Sequence, residues 1–278
     1  MIDNAGSVSF MLGYIIILPL SLLYLWRRSN IRENRPARWI YVAFIGLLLG
    51  DSFHLVARII VYFVGLANGI ELRPDWEAFY GQPVVIAYLG LGLAASAFTM
   101  QLFYLLIYVY WRKCNTVRWA ASIGSEKRKT PGGMILLDIN AVVMTILHTV
   151  LEFFPQNEWG APTETLNVMR IITNIPFFIM GFQTIVVLLI QAKVDGVDSM
   201  PGFSLRERRM ARNMAYLMIF SFSMYSLTVF LAWLEPMFGM TMLPKTVAYL
   251  FMLLVFVKGA FVKNNKRYEL LSENTNTK

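Results

Sequence analysis

Asp51, His54 and Arg58 stand at offsets of 0, 3 and 7, which places a carboxylate, an imidazole and a guanidinium on one face of a helix. His148 and Glu152 repeat the device at i, i+4. All five lie in stretches that are otherwise apolar. An ionisable side chain at the centre of a bilayer costs about 2.5–3.5 kcal/mol on insertion scales, so such residues are functional-site candidates by default. Three chemistries are open to them. The cations Arg58, Arg170 and Lys245 suit a carboxylate or phosphate. Asp51, His54 and Glu152 suit proton coupling. Asp51, His54, His148 and Glu152 would make a two-His, two-carboxylate zinc site if their helices face one another. Asn174 lies near Arg170, and Gln156, Asn157 and Trp159 follow Glu152 as a candidate lid.

The elements that must position these residues are seven apolar stretches, near 9–26, 38–66, 84–111, 134–154, 170–192, 213–234 and 241–262. A hydrocarbon core takes about 20 helical residues, and in lipid only a helix satisfies its own backbone within one segment. The second and third stretches are long enough to tilt or to project. The first is read as a retained helix rather than a signal peptide. Asp3 precedes it, Arg27-Arg28 follows it, and no small-residue cleavage site is evident.

Orientation follows from lysine and arginine in the connections. The first, third and fifth connections and the tail are basic: Arg27, Arg28, Arg32, Arg35 and Arg38; Arg112, Lys113, Arg118, Lys127, Arg128 and Lys129; Lys193, Arg206, Arg208, Arg209 and Arg212; Lys263, Lys266 and Arg267. The intervening connections hold Glu71, Asp75 and Glu77, then Glu158 and Glu164, then Glu235. The expected topology has the N-terminus outside and the C-terminus in the cytoplasm. The formal charge of +8 therefore faces the cytoplasmic side. Anionic headgroups and a cytoplasmic protein partner at the basic loops account for it, and no nucleic acid is implied.

Composition narrows the chemistry further. The chain of 278 residues is 57% hydrophobic and 15% charged, against roughly 25% charged in an average soluble protein. One cysteine, Cys114, excludes an internal disulfide and a multi-thiolate metal site. Two histidines exclude four-histidine diheme and three-histidine hydrolase sites contained in this chain. No internal repeat is evident, and an odd helix count argues against an inverted-repeat carrier.

Packing signals are also legible. Gly46 and Gly50, and Gly90, Gly92, Ala94 and Ser96, are small residues at spacings that let helices approach closely. The run Phe103, Tyr104, Tyr108, Tyr110 and Trp111 reads as an aromatic belt at the inner interface. Pro176 and Pro244 interrupt local hydrogen bonds, which bends helices around cavities or is simply tolerated.

A rise of about 1.5 Å per residue puts Asp51 at ~18 Å, His54 at ~22 Å and Arg58 at ~28 Å from the cytoplasmic end. His148 falls at ~21 Å, Glu152 at ~27 Å and Lys245 at ~25 Å. In a core about 30 Å thick these residues share the outer half. The expectation is an outward-facing polar cavity lined by Asp51, His54, Arg58, His148, Glu152, Gln156, Asn157, Arg170, Asn174 and Lys245. It would bind an anionic small molecule or a lipid headgroup, as a receptor, sensor or carrier with no enzymatic step and no cofactor. The alternative at each residue is a packing role, with Asp51 paired to Arg58. A zinc-dependent intramembrane hydrolase is the runner-up, although no H-E-x-x-H motif is present. A retinal protein attached through Lys245 is a further alternative, from the loose opsin-like pattern Lys245, Thr246, Ala248 and Tyr249.

The strings GDSFHL (50–55) with Arg58, PQNEW (155–159), NIPF (174–177) and PKTVAY (244–249) resemble a family of bacterial seven-helix integral membrane proteins. The resemblance runs from the second helix to the seventh. It implies a multi-pass protein of the bacterial cytoplasmic membrane with these motifs near the outer face, and it carries no activity. The family has a proline where this chain has Ala57, which leaves the local bend there open. The fold expected is an all-α seven-transmembrane bundle over 1–264, followed by a short polar cytoplasmic tail over 265–278.

Overall fold

The computed structural model describes residues 5–28, 35–70, 78–123, 132–154, 156–157, 164–193, 205–232 and 234–260. Among these the chain is all-helical. The helices are α1 (Ala5–Arg28), α2 (Arg35–Ala67), α3 (Pro83–Ile123), α4 (Gly132–Glu152), α5 (Glu164–Lys193), α6 (Leu205–Leu231) and α7 (Met242–Ala260), with a 3-10 turn, Pro236–Thr241, leading into α7. Seven helices are long and apolar enough to cross a membrane. Large side chains such as Ile16, Phe53, Leu136, Ile146 and Phe182 stand exposed around the bundle. In water so much apolar surface would be a liability; against hydrocarbon it is the surface a spanning helix needs.

Two helices differ in extent from the sequence expectation. The third runs to Ile123, because nothing from Arg112 to Ile123 is a proline or glycine that would stop it. Asn115 Nδ2 also donates back to the Trp111 carbonyl at 2.9 Å. The sixth begins at Leu205, eight residues before the apolar stretch. Its charged first turns are good helix formers with buried Glu207, Met210 and Ala211 on the inner side. Its arginines act locally: Arg208 Nε donates to the Ala192 carbonyl at 3.3 Å, and Arg206 Nε to the Lys258 carbonyl. Two of the basic residues read as headgroup contacts thus cap the C-terminal ends of α5 and α7, where cations are favoured.

Helix α3 is the hub, packed against α2, α4 and α5, while α6 joins α5 to α7. This corrects the aromatic-belt reading. Phe103, Tyr104, Tyr108, Tyr110 and Trp111 are all buried, because a central helix has no lipid-facing side along that stripe. Tyr104 meets Phe177 at 5.4 Å and Phe222 at 4.8 Å between ring centroids, both edge-on. Phe177 stacks on Phe222 at 5.1 Å.

The small residues divide. A Cβ on Gly92 would stand 3.0 Å from His54 Cα and 3.2 Å from the Phe53 carbonyl oxygen, so this glycine permits the α2–α3 approach. Gly50 faces the Thr99 side chain more closely still, and an added Cβ would overlap Thr99 Oγ1. Gly46 has open space beside it and is not part of that contact.

Asp138 closes the basic-loop end of the α3–α4 interface. Arg112 Nε lies 3.1 and 3.0 Å from its two oxygens, and Tyr108 Oη donates to it at 2.7 Å. The Asp138 side chain is 40% exposed, so the ion pair is screened. Replacing Arg112 with glutamine is expected to lower stability by only ~0.5–1 kcal/mol, checked by denaturation in mixed detergent micelles.

Candidate functional site

Most of the polar residues singled out from the sequence lie toward the end of the bundle that carries the acidic connections. They fall into two groups there.

The deeper group spans α1, α2, α3, α6 and α7. Asp51 is buried and accepts hydrogen bonds from Tyr14 Oη at 2.7 Å and Ser96 Oγ at 3.2 Å. Its expected partner was Arg58, one helical face along. The carboxylate instead looks across the bundle, and its attraction is to Lys245. Lys245 comes from the first turn of α7 and is 4% exposed. Its Nζ lies 2.7 Å from Met100 Sδ, 3.9 Å from Met242 Sδ and 4.0 Å from the centroid of the Tyr225 ring. Tyr249 lies 5.8 Å away and turns its hydroxyl to Met100 Sδ at 3.6 Å. Among the described residues no oxygen accepts a hydrogen bond from Lys245.

The shallower group centres on Arg58 and Arg170. Both are half-buried, and the two guanidiniums repel each other. Glu152 attracts Arg170 from the end of α4. His54 lies between the groups, within the fields of both Arg58 and Lys245. Its buried Nδ1 has no hydrogen-bond partner among the described residues.

Other expected site residues have packing partners. His148 Nδ1 is 2.8 Å from the Thr173 carbonyl, so that nitrogen carries the proton and ties α4 to α5. Its ring lies against Phe177 at 5.8 Å. Asn174 Nδ2 donates to the Arg170 carbonyl at 2.7 Å, and its Oδ1 accepts from Tyr225 Oη at 2.7 Å. Asn157 is buried and donates through Nδ2 to the Glu152 carbonyl at 3.1 Å, closing the end of α4. Gln156 is exposed, and Trp159 lies outside the described residues. Among the described residues no three of the histidines, cysteines, aspartates and glutamates come together in a way that would hold a metal ion. The four ligands of the zinc reading are therefore not one cluster. His148 is committed to α5, while Asp51 is committed to α1 and α3.

Sequence reasoning missed Tyr14, Ser96, Met100 and Tyr225, and held Tyr249 only as part of the loose opsin-like pattern. A tyrosine or methionine in an apolar stretch reads as ordinary core. Ser96 was assigned to helix packing alone. Only the fold brings these groups to a buried acid and a buried lysine.

Comparison with protein-family models, with curated proteins and with solved structures found no match. The bacterial attribution rests on the motif strings of the sequence alone.

Proposed function

We propose that this multi-pass membrane protein binds an anion, a small carboxylate or phosphate or the phosphate of a lipid headgroup, between Arg58 and Arg170. The observation that carries this reading is the mutual repulsion of two guanidiniums, Arg58 from α2 and Arg170 from α5, with Tyr80 attracting the first and Glu152 the second among the described residues. Among the described residues, Glu152 is the carboxylate that attracts Arg170, and no carboxylate is matched to Arg58. An anion spanning both guanidiniums would turn repulsion into two charge-assisted contacts. Arginine suits this role because its planar fork matches carboxylate and phosphate oxygens.

The alternation of basic and acidic connections supports an outward-facing site, with the Arg-rich ends of α1, α3 and α6 in the cytoplasm. The role is that of a receptor, sensor or carrier.

The test is titration of the purified protein, held in zwitterionic nanodiscs, with inorganic phosphate and with succinate. A parallel set of nanodiscs contains phosphatidylglycerol, to separate a lipid headgroup from a free anion. A charge-assisted contact is worth about 1.5–3 kcal/mol, so Arg58→Gln or Arg170→Gln should weaken binding by roughly 10- to 100-fold. Equal affinity in wild type and both variants would end the proposal. Uptake of the bound anion into proteoliposomes would make the protein a carrier rather than a receptor.

A further inference from the structure

Lys245 presents chemistry that the anion reading does not use. It is almost fully buried, and the charged group that acts on it is Asp51 rather than either arginine. Its amine is surrounded by two thioethers and two tyrosine rings, with Asp51 as the acid within electrostatic reach. Thioethers and ring faces are poor substitutes for the water or carboxylate oxygens that an ammonium normally binds. A desolvated lysine in an apolar setting is the kind that serves as an amine nucleophile toward carbonyl compounds.

We propose that Lys245 is a covalent attachment site for an apolar aldehyde, held as an imine with Asp51 as counter-ion. The step balances without a redox partner. The amine lone pair of Lys245 attacks the aldehyde carbon. The carbonyl oxygen then leaves as water with the two amine hydrogens, and a C=N bond remains. A proton taken up from solvent converts the imine to an iminium, whose charge the Asp51 carboxylate offsets. Tyr14 and Ser96 hold that carboxylate in place. The Tyr225 ring face, 4.0 Å from Nζ, stabilises the same positive charge by cation–π attraction.

The chemistry of the surroundings selects the aldehyde. Met100, Met242, Tyr225 and Tyr249 line the amine, and the aromatic layer of Tyr104 and Phe222 lies beyond. These groups favour a flat apolar chain over a sugar or a phosphorylated aldehyde. Methionine is unbranched and flexible, so Met-rich packing gives way around a guest at low cost. The buried Met218 and Met252 of α6 and α7 extend that packing into the core. This site stands independently of the anion reading.

The test uses the full-length protein in nanodiscs, incubated with all-trans-retinal and separately with nonanal. Sodium borohydride then reduces any imine to a stable secondary amine, which is located by peptide mass spectrometry. The expected result is labelling of Lys245 at least tenfold above that of Lys193 or Lys258. With retinal, an absorption band to the red of the free aldehyde should precede reduction. Lys245→Arg keeps the charge facing Asp51 but forms no imine. It should retain wild-type thermal stability and lose both label and band. Labelling confined to the exposed lysines, or a folded wild type that takes no label from either aldehyde, overturns the proposal. Label at Lys245 from nonanal alone keeps the site and excludes polyene aldehydes.

Discussion

Replacing Asp51 with alanine is expected to destabilise the bundle by about 3–5 kcal/mol, the cost of leaving a buried charge uncompensated. Lys245 would keep its place among Met100, Met242 and Tyr225 with no acid facing it. Tyr14 and Ser96 would each lose the acceptor they now use. The informative experiment is a double-mutant cycle with Lys245→Met. Methionine removes the charge and matches the sulfur-rich surroundings. The double variant should therefore recover much of what Asp51→Ala loses, with a coupling of about 1–3 kcal/mol. Reversible unfolding in detergent–bicelle mixtures would measure it. Strictly additive losses would show that Asp51 and Lys245 do not sense each other, and the description of the deeper group would fail with them.

A second large effect is expected at the adjoining residue of α2. Gly50→Val should cost about 1–3 kcal/mol or prevent assembly, whereas Gly46→Val should be close to neutral. Both glycines are on α2 and both fit a small-residue motif. A Cβ at Gly50 would overlap the Thr99 side chain. Thr99 has little room to yield, because its hydroxyl already donates to the Ala95 and Ser96 carbonyls at 3.0 and 3.1 Å. Neighbouring Gly92 brings α3 against the α2 backbone itself, so the helices cannot simply slide apart without losing the contact along its length. At Gly46 nothing lies within 4 Å. Equal thermal stabilities for the two variants would contradict this division.

The sequence by itself determined the architecture, because each spanning segment is a local object. A helix in lipid satisfies its backbone internally, so seven apolar runs of sufficient length were enough to locate seven helices. It also showed the concentration of ionisable residues toward the acidic-loop end, since depth along a helix is a count of residues. Helix ends were less legible where polarity set in before the backbone had any reason to stop, as at Arg112–Ile123 and Leu205–Arg212.

Partners were what only the tertiary structure decided. The face shared by Asp51, His54 and Arg58 holds as helix geometry, yet Asp51 bonds to α1 and α3 and faces α7. His148 and Glu152 also share a face, yet one is fixed to the Thr173 carbonyl and the other answers Arg170. The aromatic stripe of α3 looked like an interface belt until the surrounding helices made it the core. In each case the reason is the same. Spacing fixes which residues share a side of one helix, while the charge, acceptor or ring that meets them comes from another helix, and the order of helices around the bundle is not written in any single segment.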